Sequence, residues 1–155
     1  MRRSDAITLA LCALIAGCHR DAAIPDSATI SASLSAAASS ARDSVIVIRH
    51  AVPGSWREVY VFAPYSSDAF IARCLGAPID ARDDQGISHR DDIHLLVFRL
   101  PDSSLVRRAI ARKPDFDPES FSRVYDTRAA FKLRPSSDGS WLTLVPVAGL
   151  IRRCK

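Results

Sequence analysis

Two short stretches gather the side chains that could do chemistry. Ser88-His89-Arg90-Asp91-Asp92-Ile93-His94 holds two imidazoles and two carboxylates among its side chains. Ligands of that kind suit zinc. Their spacing matches no standard zinc pattern, and a solvated polar loop explains them as well. Asp115-Phe116-Asp117-Pro118-Glu119 offers carboxylates at alternate positions, the hard oxygen ligands that calcium takes. It lacks the glycine and the further ligands of an EF-hand loop. A turn with Phe116 and Phe121 anchored in the core is the simpler reading. No metal or cofactor is assigned.

The parts for nucleophilic catalysis are few. Serines abound, but no G-x-S-x-G elbow occurs, and beyond residue 43 the histidines are His50, His89 and His94. Cys74 falls on the apolar face of an expected helix, a poor place for a reactive thiolate. No catalytic residue is assigned. A small hydrolase using His94 and an acidic partner stands as the enzymatic alternative. Trp56, Tyr60, Phe62, Tyr65 and Phe70 concentrate the aromatics. Phe62 and Phe70 are expected to pack the core, and Trp56 and Tyr65 to lie at the surface, available to a partner.

The elements that must position these residues read as a small α+β domain over residues 44–155, an antiparallel sheet with one helix packed on a face. Val45 to Ile48 and Val59 to Phe62 are β-branched or aromatic runs and expected strands. Ser66, Ser67 and Asp68 supply N-cap chemistry for a helix over residues 69–75, ended by Gly76 and Pro78. Residues 80–92 read as an exposed loop. Ile93 to Leu100 is the most apolar strand and is expected to be central. Leu105 to Arg112 fits either a helix or a strand hairpinned onto it, with Val106 and Ile110 inward; the turn Pro101 to Ser104 leans toward the hairpin. Residues 129–133 and 141–147 close the domain as strands around the turn Pro135 to Gly139.

From Ser27 to Ala41 every residue is Ser or Ala except Thr29, Ile30 and Leu34. Ile30 and Leu34 are the only large apolar side chains there, too little apolar surface to offset ordering entropy alone. Residues 19–43 are therefore expected to form a flexible tether, with transient helix over residues 34–42. Charge narrows the partners. Residues 19–155 carry 19 basic and 16 acidic side chains, a small surplus with no basic run longer than two. Nucleic acid is not an expected partner.

The chain opens with Arg2 and Arg3, followed by an uncharged, largely apolar run from Ala6 to Ala16. This is the length of a signal-peptide h-region and too short to span a bilayer comfortably. At its end, Ile15-Ala16-Gly17-Cys18 resembles the lipobox of bacterial lipoprotein precursors. The resemblance is confined to the start of the chain and ends just past Cys18. It implies a signal peptide over residues 1–17, cleavage between Gly17 and Cys18, and lipid on the Cys18 thiol. Two or more acyl chains make such an anchor stable. His19, rather than aspartate, follows the lipidated cysteine, which implies the inner leaflet of the outer membrane, facing the periplasm.

On that reading Cys12 leaves with the signal and Cys18 is occupied. Cys74 and Cys154 remain, and an oxidising compartment invites a disulfide between them. The alternative is a buried Cys74 and a free Cys154. The function expected is a lipid-anchored, non-catalytic binding or structural module. Its partners are the membrane, through Cys18, and an envelope protein or the cell wall. One variant is an inhibitor or immunity lipoprotein against a cell-wall-targeting toxin.

Overall fold

The computed structural model describes residues 23–40, 45–79, 86–136, 139 and 141–154. The expected signal peptide, Gly17, Cys18 and residues 19–22 lie outside them. Among the described residues three helices, α1 (Ser27–Ser40), α2 (Ile48–Ala51) and α3 (Asp68–Leu75), accompany seven strands. The strands are β1 (Val45–Val47), β2 (Glu58–Phe62), β3 (Ile93–Arg99), β4 (Leu105–Ala111), β5 (Asp115–Phe116), β6 (Arg123–Pro135) and β7 (Leu142–Arg153). The α+β class holds: one sheet, antiparallel except where β5 joins β7, with α3 on one face.

The strand order is β4-β3-β2-β6-β7-β5, with β1 also paired to β6. In a flat sheet β4 and β5 would lie five spacings apart, about 24 Å. Only residues 112–114 join them, and four Cα steps cover at most about 14 Å. The sheet must therefore curl. β6 lets it do so: β2 pairs with residues 123–126 and β1 with residues 130–132. From Val124 to Phe131 the β6–β7 register shifts three times, and such bulges bend a strand. Gly149 sits at the bend with φ 82°, and a side chain there would overlap the Ala129 backbone.

Two cores result. Tyr60, Phe62, Leu95, Val97 and Val124 pack under Ile71 and Leu75 of α3. Val61, Leu96, Phe98, Ile110, Phe116, Tyr125 and Phe131 form the other, with α1 and α2. β3 is buried on both faces for this reason, although β2 and β6 are more central in the order. Residues 105–111 form a strand, with Ile110 buried and Val106 packed against the second core. Helix α3 starts at Ser67, whose hydroxyl accepts the Phe70 N–H, and stops at Gly76, which takes the left-handed conformation at φ 66°.

The expected tether is corrected over much of its length. Residues 27–40 are a docked helix. Ile30, Leu34 and Ala38 recur at every fourth position and are buried, so the few apolar side chains form one stripe. Asp26 caps the first turn by accepting the Thr29 N–H at 2.8 Å. The serines on the flank serve β4, the sheet's edge strand. Ser31 Oγ accepts the Ala111 N–H at 3.2 Å, and Ser35 Oγ donates to the Lys113 carbonyl at 2.8 Å. Arg108 of β4 donates to the carbonyls of Pro25 and Ile24. The segment cannot fold alone, but it folds on the sheet.

Candidate functional site

The first chemical stretch does not converge. His89 ends a 3-10 turn and is exposed to some degree, and Asp91 and Asp92 are exposed beside it. The Asp92 carboxylate takes the Arg90 guanidinium in two hydrogen bonds. His94 points into the core and is fully buried. Its neighbour comes from the second stretch: Nε2 lies 2.6 Å from Asp115 Oδ1. β5 brings Asp115 there because it follows β4 so closely. Arg112 closes the cluster, donating to Asp115 Oδ2 at 2.6 Å and to the Asp91 carbonyl at 2.8 Å. Phe116 and Phe121 flank the imidazole at 5.5 and 5.3 Å.

Nε2 faces Asp115 Oδ1 and also lies 3.5 Å from the Phe116 N–H, while Arg112 holds the other carboxylate oxygen. Nδ1 is buried and makes no hydrogen bond of ordinary geometry. Burial holds the imidazole pKa below its usual value, and the Arg112 charge adds to this. The Asp115 carboxylate and the Phe62 carbonyl oppose it, the latter because it can bond only a protonated Nδ1. The neutral ring is therefore favoured. A His–Asp pair exists, but it is sealed beneath two phenyl rings and serves to join β3 to β5.

The remaining carboxylates of the second stretch turn elsewhere. Asp117 caps the 3-10 turn Pro118–Ser120 by accepting the Glu119 N–H. Glu119 faces Arg123 at 3.9 Å. Among the described residues no three His, Cys, Asp or Glu side chains gather as a metal would require.

Of the two aromatics expected at the surface, Tyr65 is there, 62% exposed in a turn at φ 62°. Trp56 is not. It is 2% exposed, packs against Phe98 at 5.6 Å and donates Nε1–H to the Val52 carbonyl at 3.0 Å. The turn after α2 folds the indole beneath the sheet, and Arg49 covers its face. Trp56 is a core residue with a satisfied polar handle.

Two features escaped the sequence reading. One is an ionic network at the end of β2. The Glu58 carboxylate accepts hydrogen bonds from Arg152 (3.0 Å), Tyr60 (2.8 Å) and Arg99 (3.2 Å). Arg99 also donates to the Leu75 carbonyl at the end of α3. Burial raises the Glu58 pKa, but hydrogen bonds from Arg152 and Tyr60 and the two guanidinium charges outweigh it and hold the carboxyl low. Next to it lies the Cys74–Cys154 disulfide that the sequence offered as one of two alternatives, with Cα atoms 5.0 Å apart. A groove of about 470 Å³ opens beside Cys154, with Phe121, Arg123 and Arg153 in its walls. The second feature is β7 itself. Val147, Leu150 and Ile151 are each about half exposed, as is Trp141 before it. The expected strand ends at residue 147, short of Leu150 and Ile151, and no local pattern announces the bulges that leave Val147 and Ile151 as extra residues.

Comparisons with protein-family models, with curated proteins and with solved structures find no match for this chain.

Proposed function

We propose that this protein is a lipid-anchored, non-catalytic binding module of the bacterial envelope, held at the membrane through Cys18. The observation that carries the reading is the lipobox-like run Ile15-Ala16-Gly17-Cys18 behind a basic start and a short apolar run. The Cys74–Cys154 disulfide supports it, since such bonds persist in oxidising compartments such as the periplasm. The residues that suggested chemistry support the non-catalytic part. His94 and Asp115 are committed to each other inside the fold, and Asp117 and Glu119 to a cap and an ion pair. His19 supports placement at the outer membrane, on the inner leaflet. Partners are then other components of the envelope.

The test is made in intact cells. The wild type should incorporate labelled fatty acid, and Cys18→Ala should incorporate none. Inhibition of the lipoprotein signal peptidase should leave a heavier membrane-bound precursor. A wild-type chain that takes up no label ends the reading.

A further inference from the structure

Resting on that anchored reading, the geometry points to the β7 edge as a face that lies on an anionic phospholipid surface. Four observations meet there.

Exposed apolar side chains gather on this one strand. Val147, Leu150, Ile151 and Leu142, with Trp141 just before them, make up five of the seven large hydrophobics exposed among the described residues. The bulges display two of them. Ala130 and Phe131 pair with Ala148 and Pro146, leaving Val147 as the extra residue. Val124 and Tyr125 pair with Arg152 and Leu150, leaving Ile151. Bulges re-aim side chains in this way.

Charge gathers on the same hairpin. Residues 123–155 hold seven basic and two acidic side chains, a net +5, whereas residues 19–122 carry a net −2. Lys132, Arg134, Arg152 and Arg153 are exposed, and Arg153 makes no ion pair among the described residues. Of the carboxylates near this face, Glu58 faces Arg152, Glu119 faces Arg123 and Asp126 faces Arg128, while Asp117, beside Leu144, accepts the Glu119 N–H. Aliphatic side chains with a tryptophan, rimmed by cations, match a headgroup layer carrying phosphates.

The edge is unsuited to a protein strand. Beyond residues 143 and 144, which β5 covers, it holds Pro146, Gly149 and three register shifts. Such interruptions block pairing by a new strand. A lipid surface needs no backbone pairing.

The tether permits the contact. Because α1 is docked and Arg108 holds Ile24, six Cα steps separate Cys18 from the fold and reach at most about 22 Å. Arg108, Leu96, Val61, Arg123 and Arg153 are successive partners across the sheet. Four spacings place Arg153, at the C-terminal end of β7, at most about 19 Å from Arg108. The acyl chains and the Arg153 end of β7, which carries Leu150 and Ile151, can therefore meet the same bilayer.

The protein carries its own probe. Trp56 is buried and Trp141 is half exposed, so acrylamide quenching reports Trp141. The natively lipidated chain is reconstituted into vesicles of phosphatidylcholine alone, or with phosphatidylglycerol added. Flotation of the vesicles reports the anchor separately. On phosphatidylglycerol vesicles, quenching should fall several-fold and emission shift to the blue. High salt should reverse both. Arg153→Glu should lower the ratio of docked to undocked protein about 25-fold, at roughly fivefold per charge, and so remove most of the shielding, and Ile151→Asp should abolish it. Trp141→Phe should remove the signal. The inference is overturned if floated protein keeps Trp141 equally quenchable on both vesicles, or if shielding appears only when envelope protein is added.

Discussion

At the scale of single residues, His94 makes the fold sensitive to pH. Its folded pKa lies below the ordinary 6.5, mainly through burial. Below 6.5 the unfolded chain takes up a proton that the folded ring resists, so the unfolded state binds more. Stability should be full above that value and fall as the pH drops beneath it, toward the folded pKa. Urea midpoints measured from pH 8 to pH 5 check this, with His94→Gln expected to flatten the profile. An unchanged wild-type midpoint across that range would remove the argument. Glu58 does not confuse the window. Its carboxyl is held below 4.5, so its contribution is lost only at more acid pH.

At the scale of elements, α1 is the part whose role changed most. It converts an edge strand into a covered one: Ser31 takes a free N–H of β4 while Ile30 and Leu34 complete the core. Leu34→Ala should cost about 2–4 kcal/mol, a large-to-small change in a packed core, read from urea unfolding. A true tether would show no change. The strands and α3 were legible because their signals are local: β-branched runs, a Ser67 cap, a Gly76 stop. Helix α1 was not, because its two large apolar side chains gain their meaning only from a surface made much later in the chain. Trp56 was misplaced for a related reason. Its burial depends on α2 and the turn that follows, which carry no strong pattern. His94 and Asp115 were both singled out, His94 as a zinc ligand or with an unnamed acidic partner and Asp115 as a calcium ligand in a separate stretch. Their pairing comes from the curl that sets β5 beside β3, a long-range fact.

At the scale of the whole molecule, one covalent bond ties α3 to the end of β7 and backs the Glu58 network beside it. The two cysteines stand 80 positions apart in the chain. On the loop-entropy account a closure of that size contributes at most about 4–5 kcal/mol. Replacing both cysteines by serine should lower stability by up to that amount. Reduction of the wild type should reproduce the loss, and both are read as the shift in the urea midpoint. The variant should keep its two cores, since Leu75 and Val124 are buried by packing rather than by the bond. Unchanged stability would show that the α3 and β7 contacts alone hold the ends together.

The place of β6 in the chain has a consequence for the order of assembly. β1, β2 and β7 all pair with it, and β1 pairs with nothing else; it begins only at residue 123. In a chain that emerges from its N-terminus, β2, β3 and β4 can form a meander early, and α1 can lie against β4 once residue 113 has emerged. β1 must wait beside them with no partner. Cys74 must also wait, as a thiol open to the wrong disulfide, until Cys154 follows. The last strand made is therefore the one that locks the rest.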